Sequence, residues 1–388
     1  MEIQRSRFID FSRTALAIGI MCAFMACEDP TNVGLGLVGD DSGQPLTESL
    51  DLDGFMPVDE VGIVDNLGEV LAGRVEDPSL GTTQAVAYFD VRTNTNQTIE
   101  YRNGPVERAI LELETSYVYG DTLSELTFAL HEVLNEFTGF QSTVDSIPPV
   151  GPELLQFSMM PKDAVVAIEL PATWVAQYDA DLRTPDFGQA FAGFQLRHIE
   201  GNAVVGFHNI VTRDTRIRSI VGTDTVNFVA EKSITTLEKE TEGTLPPGRV
   251  GIQDGIGPKI SFSFPVDSLQ GVALNRAAIQ LSSDNEALDT PTNFFRPTID
   301  NLALHGVLND SSSALLAIGT LSDDGDYRFV SETFHTVLQS FLLGGTPYES
   351  YEIRFSSTSA NSIDAVVLHN NESETDTPHV FITYTDLQ

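Results

Sequence analysis

The stretch Lys259-Ile260-Ser261-Phe262-Ser263-Phe264-Pro265-Val266 decides the fold class. Ile260, Phe262, Phe264 and Val266 fall on one face of an extended chain, and Ser261 and Ser263 fall on the other. Side chains of a strand point to opposite faces in turn, so a period of two marks a half-buried β-strand. Working outward, Leu111, Leu113, Tyr117 and Tyr119 alternate in the same way with Glu112, Glu114 and Ser116. Tyr351-Glu352-Ile353-Arg354-Phe355 and Val380-Phe381-Ile382-Thr383-Tyr384 repeat the theme. Such strands, separated by Gly, Asp, Asn and Pro turns, predict β-sandwiches. Two short helices are expected between them. One runs near 331–343, with Phe334, Val337, Leu338, Phe341 and Leu342 on one side and Gly344-Gly345 as its stop. The other lies near 171–182, where Trp174 and Tyr178 stand one turn apart.

The chain also repeats itself. Ala129-Leu130-His131-Glu132-Val133-Leu134-Asn135-Glu136 matches Ala303-Leu304-His305-Gly306-Val307-Leu308-Asn309-Asp310 at six of eight positions. The surrounding order agrees. Arg108-Ala109 and Arg276-Ala277 open strands before the two copies, and a helix follows each. Phe194-Gln195-Leu196-Arg197 then answers Tyr351-Glu352-Ile353-Arg354, and Val205-Gly206-Phe207-His208-Asn209 answers Val366-Val367-Leu368-His369-Asn370. The expected architecture is all-β, with two related β-sandwich (jelly-roll-like) halves and short helical insertions. The halves are placed at 51–230 and 248–388, joined by a low-hydrophobicity linker at 231–247.

The N-terminus predicts an address. Arg5, Arg7 and Arg13 precede the apolar run from Thr14 to Ala26. That run is too short for a stable membrane span, which takes roughly 20 apolar residues, and it reads as a signal peptide over 1–26. Ala23-Phe24-Met25-Ala26-Cys27 is similar to the lipobox of bacterial lipoproteins, with Phe24 where Leu is usual. The expected mature chain begins at a lipid-modified Cys27. Residues 27–50, rich in Gly, Asp, Pro, Thr and Ser, are read as a tether. Gly34-Leu35-Gly36-Leu37-Val38-Gly39 matches a dinucleotide motif by letter, but that motif needs a strand before it and a helix after it, and here a lipid anchor is expected before it and acidic turns after it. With Cys27 as the only cysteine past the signal peptide, no internal disulfide is expected.

Charge excludes one class of partner. The chain carries −35, with 56 Asp and Glu, and its only lysines are Lys162, Lys232, Lys239 and Lys259. Such a surface repels nucleic acid and anionic headgroups, so nucleic-acid binding is excluded. Solubility in concentrated salt and diffuse binding of divalent cations are two bland explanations for the acidity.

Candidate chemistry is sparse. His131 with His305, and His208 with His369, recur at matching positions and could in principle bind metal. No HExxH or short His-x-His spacing supports this, and hydrogen-bonded structural histidines are the favoured reading. Ser322-Asp323-Asp324-Gly325-Asp326 and Asp51-Leu52-Asp53-Gly54 offer oxygen ligands but lack EF-hand spacing, and they read as turns. There is no GxSxG elbow. No catalytic residue, cofactor or metal ligand is assigned, and an enzyme is not expected. Trp174, the only Trp, is expected to be buried, and most Phe residues read as core, which counts against a glycan platform.

Several stretches resemble one family, the Bacteroidetes lipoproteins grouped as domain of unknown function 4270. They are Cys27-Glu28-Asp29-Pro30, Val33 to Leu37, the Asp-Pro turn within Leu71 to Thr82, Gly188 to Arg197, Gly251 to Gly257, and Val380 to Thr385. The resemblance implies an envelope lipoprotein of two β-rich parts with no assigned activity, and it supplies no catalytic residue to carry over. Glu28 and Asp29 also resemble a surface-display signal of that phylum. The expected role is a non-enzymatic binding or accessory protein of an envelope or secretion assembly, held to the outer membrane by its N-terminal lipid. Surface glycan binding is the alternative, and a polymer hydrolase the third.

Overall fold

The computed structural model describes residues 45–58, 63–65, 69–93, 104–137, 147–185, 187–208, 215–256, 259–264, 272–309, 312–345, 348–356 and 362–386. Its strands in chain order are β1 (Leu46–Asp51), β2 (Asp53–Val58), β3 (Ile63–Asp65), β4 (Glu69–Asp77), β5 (Gly81–Thr93), β6 (Arg108–Asp121), β7 (Leu126–Val133) and β8 (Val150–Met159). There follow β9 (Val165–Glu169), β10 (Phe194–Glu200), β11 (Ala203–His208), β12 (Arg216–Val221), β13 (Asp224–Glu242), β14 (Arg249–Gln253), β15 (Lys259–Ser263) and β16 (Val272–Ser282). The last are β17 (Phe294–Phe295), β18 (Asn301–Asn309), β19 (Ser312–Leu321), β20 (Asp326–Phe329), β21 (Ser350–Phe355), β22 (Ala365–His369) and β23 (His379–Asp386). The helices are α1 (Ala172–Gln177), α2 (Phe187–Ala190) and α3 (Glu332–Leu342). The protein is all-β, with antiparallel, sandwich-like sheets.

One sheet has nine strands in the order β1-β23-β16-β20-β19-β18-β21-β15-β2. Its two edge strands are separated in sequence by the single residue Leu52, which is fully buried. The sheet must therefore curl until its edges meet, and the space it encloses is the core. Ile260, Phe262 and Phe264 of the alternating stretch point into that core beside Phe55, Tyr327, Phe329 and Tyr351. Helix α3 closes it with Phe334, Leu338 and Leu342. That helix starts where Ser331 Oγ accepts from Phe334 N at 2.9 Å and stops before Gly344, whose φ of 83° suits a residue without Cβ.

The second sheet has twelve strands, and β13 pairs with both β12 and β5. The pairings thus run β13-β12-β6-β11-β4-β5 and return to β13. Inside lie Phe89, Phe128, Phe194, Phe207 and Phe228. Trp174 of α1 is 2% exposed and packs in a ring cluster, 4.9 Å from Tyr178 and 5.6 Å from Phe191 between centroids. Burying each such ring contributes about 1.5–3 kcal/mol.

Strand partners correspond between the two sheets. β6 pairs with β9 and β12, as β16 pairs with β20 and β23. β7 pairs with β8 and β10, as β18 pairs with β19 and β21. β11 pairs with β4 inside the twelve-stranded sheet, whereas their counterparts β22 and β14 pair with each other in a separate two-stranded sheet. The long β13 runs first against β12 and then against β5. In the other sheet β1 runs against β23 and β2 against β15.

Two expected boundaries need correction. Residues 46–50 of the expected tether and a first half starting at 51 are corrected, because Leu46–Asp51 and Asp53–Val58 are strands of the sheet otherwise built from 259–386; residues 27–44 lie outside the described residues. Strand β1 is polar because it is an exposed edge. The linker at 231–247 is also corrected. Residues 231–242 continue β13 and pair with β5. Its mean hydropathy is low because the buried positions include Ser233 and Thr235, each 1% exposed.

Candidate functional site

The groups with most chemistry lie where the two sheets meet. The turn Asp77-Pro78-Ser79-Leu80 joins β4 to β5, and Asp77 turns its carboxylate back on it. Oδ1 accepts from Ser79 N at 2.9 Å and Leu80 N at 3.0 Å. The same carboxylate receives Arg296 from the segment between β17 and β18, with Nε to Oδ2 at 2.7 Å and Nη2 to Oδ1 at 2.9 Å. Tyr119 OH donates to Oδ2 at 2.7 Å. Both ionic side chains are nearly out of water, at 8% and 1% exposure for Arg296 and Asp77. Burial alone would raise the Asp77 carboxyl, but the bonds from Arg296 and Tyr119 outweigh it and hold the group below the usual carboxylate range. Arg296 also donates to Thr290 Oγ1 and Asp289 O, and its Cζ sits 4.7 Å from the centre of the Phe294 ring. Phe294 in turn meets Tyr119 edge-on at 5.9 Å, so apolar and ionic contacts hold the same junction.

A second polar group lies further along the junction. Tyr117 OH donates to Asp364 Oδ1 at 2.8 Å and accepts from Ile363 N at 3.2 Å. Ser362 Oγ donates to Asp254 Oδ2 at 2.9 Å. Burial, with the Asp364 charge adding to it, pushes the Asp254 carboxyl up to about 7.

Beside the Asp77 turn is a cavity of about 310 Å³. Leu80, Leu245, Val250 and Pro57 give it apolar walls, and Lys239 and Arg249 give it cationic ones. Two glycines let its walls approach. A Cβ on Gly243 would lie 2.0 Å from Ser79 O, and one on Gly251 would lie 3.0 Å from both Leu80 and Leu245 side chains. Lys239 Nζ donates to Gln253 Oε1 at 2.7 Å, and Gln253 Nε2 donates to Ile363 O at 3.1 Å, which fixes the amide. Burial lowers the Lys239 pKa, while the charges of Glu242 and Asp77 act against that shift. Arg249 is held by the Asp284 carboxylate and by Gly248 O.

The residues singled out from sequence are dispersed. Cys27, Glu28, Asp29 and the glycine-rich match lie outside the described residues. His131 Nδ1 is 3.1 Å from Gly151 O on β8. His369 Nδ1 is 2.8 Å from Ser373 Oγ. His305 stands on β18 and His208 ends β11, on different sheets; burial lowers the His305 pKa. Among the described residues, no three His, Cys, Asp or Glu side chains are grouped so that they could hold a metal ion. Ser322–Asp326 is the turn between β19 and β20, closed by Ser322 N to Asp326 O at 2.9 Å with Gly325 at φ 88°. Asp51 to Gly54 is the bend between β1 and β2. Sequence reasoning quoted the Asp77 turn but missed Arg296, and it named Lys239 only as a rare lysine.

Fold and junction together define a class: an all-β protein whose two curled sheets are joined through a buried ionic contact and a cavity. Comparison assigns nothing narrower. No family model matches the chain, and no curated protein matches it. A solved structure of infectious bursal disease virus, Gt strain, covers 90% of this chain and 78% of its own at 9% identity, but its TM-score of 0.13 carries no argument.

Proposed function

We propose that this chain is a lipid-anchored cell-envelope protein with a non-enzymatic role, binding a ligand or serving as an accessory of an envelope or secretion assembly. The observation that carries the location is Ala23-Phe24-Met25-Ala26-Cys27 behind an arginine-led apolar run. The non-enzymatic part is supported by how the junction spends its polar groups. Asp77, Arg296, Tyr119, Tyr117 and Asp364 are engaged with one another across it. The corresponding strand partners of the two sheets support reading them as two copies of one ancestral unit. Surface glycan binding has less support, since Trp174 is packed among rings inside the second sheet. A polymer hydrolase has none beyond the abundance of carboxylates.

The test is fractionation of native cells expressing wild type and Cys27→Ser, with protease applied to intact cells. The wild type should sediment with membranes and the variant should be released. Trimming of the wild type from outside would place it on the surface, and protection would place it on the periplasmic side. A variant that stays with the membranes as wild type does would overturn the anchored reading.

A further inference from the structure

We propose that the cavity beside the Asp77 turn binds a small organic carboxylate with an apolar tail, its carboxylate on Lys239 Nζ. The proposal rests on the reading of this chain as a binding protein and gives that reading a ligand class.

The argument begins with what the lysine lacks. The chain has 56 carboxylates against 21 Lys and Arg, so a cation is rarely far from an acid. Lys232 lies 3.7 Å from Asp90 and Lys259 lies 3.4 Å from Glu352. Lys239 is half-buried, yet among the described residues no carboxylate stands within ion-pair distance of it. Its hydrogen-bond partner there is the neutral Gln253 Oε1. An ammonium has three donors, and burying one with a single neutral acceptor is costly unless something else satisfies it. The side chain lines the cavity, so a ligand there can reach its remaining donors.

The rest of the wall sets the ligand's body. Leu80, Leu245, Val250 and Pro57 offer apolar surface beside the ammonium, which fits an aliphatic tail better than a fully hydrated ion. The volume is at the lower end of small-molecule sites. The overall charge of −35 repels anions at long range, but at physiological ionic strength the Debye length is about 8 Å. Distant acids are therefore screened, and the nearby ammonium decides. Glu242 also lines the cavity and bounds the ligand to one carboxylate; a dianion would meet it.

The experiment uses the full mature chain in mild detergent, labelled with ¹³C at lysine Cε. Four lysines give four signals, and Lys239→Gln assigns one of them. Hexanoate, hexanol and sulfate are titrated separately. The expected result is that the Lys239 signal moves with hexanoate, and moves far less with hexanol or sulfate. Lys239→Gln should weaken hexanoate binding by about tenfold or more, read by calorimetry. Leu245→Trp, which fills the cavity and keeps the ammonium, should abolish it, and this second variant guards against misfolding of the first. Hexanoate that leaves the Lys239 signal unmoved overturns the proposal, as does hexanol binding equally well. Either failure leaves the anchored reading intact, because that reading stands or falls on the fractionation of Cys27→Ser. Conversion of the hexanoate itself would overturn the non-enzymatic reading and keep the site.

Discussion

Arg296 and Lys239 sit at the same junction, both beside the Asp77 turn, and are treated in opposite ways. Arg296 is clasped by a carboxylate, a threonine hydroxyl and a main-chain carbonyl, and a phenyl ring covers it. Lys239 has a fixed amide oxygen and an open cavity. The planar fork of Arg suits two-point binding to Asp77, while the compact ammonium of Lys suits a site that something else completes. The difference separates a cation that holds the molecule together from one left available.

The largest effect expected from breaking this contrast is at Asp77. Asp77→Ala leaves Arg296 buried without its counter-charge and should cost about 3–5 kcal/mol, measured by urea unfolding. A loss under about 1 kcal/mol would mean that the contact does not hold the junction. Because the folded Asp77 pKa is depressed, its stabilisation is present above the unfolded carboxylate pKa. It is lost as pH falls through the folded value, so the variant should show a flatter acid limb.

Asp254 has the opposite sign. Its folded carboxyl is raised to about 7, so the folded state holds the proton longer than the unfolded chain does. Stability then declines as pH rises from about 4 towards 7. Asp254→Asn should be more stable than wild type at pH 8, by up to about 4 kcal/mol, and indistinguishable from it below the ordinary carboxylate pKa. Equal stability at both pH values would refute the raised pKa.

The smallest effect is expected at Lys239. Lys239→Met gives up one hydrogen bond but relieves a desolvated charge, and should change stability by about 1 kcal/mol or less in the same unfolding assay. A loss as large as that of Asp77→Ala would make Lys239 a structural cation and erase the contrast.

The strands inside the cores were legible because their period of two survives in single stretches such as 259–264. Helix α3 was legible from Phe334, Leu338 and Leu342 and its terminal glycines. Polar strands were not. Leu46-Thr47-Glu48-Ser49-Leu50-Asp51 resembles a tether because this largely exposed edge strand sets only Leu50 against the core and so shows no apolar face in the sequence. Residues 231–242 resemble a linker because Ser233 and Thr235 occupy buried positions where Val or Ile is the usual signal. The junction was the least legible. Asp77 is recognisable as a turn residue, but Arg296 lies 219 residues away and meets it only after both sheets have closed. Lys239 reaches Leu80 through the register of β13 on β5, which sets Lys239 opposite Thr83. No local pattern records that register.

Strand β1 also sets a load path. Leu46 is the first residue of the nine-stranded sheet and stands opposite Tyr384, with the ladder running to Asp51 opposite His379. Tension arriving from the N-terminal side therefore enters at an edge strand of six residues and is borne first by β23, near the other end of the chain. Pulled along its own axis, β1 loads all its bonds to β23 together; pulled sideways, it yields one pair at a time. The twelve-stranded sheet lies downstream of β1 and of β2, which pairs with β15, so it is shielded from a pull until both have given way.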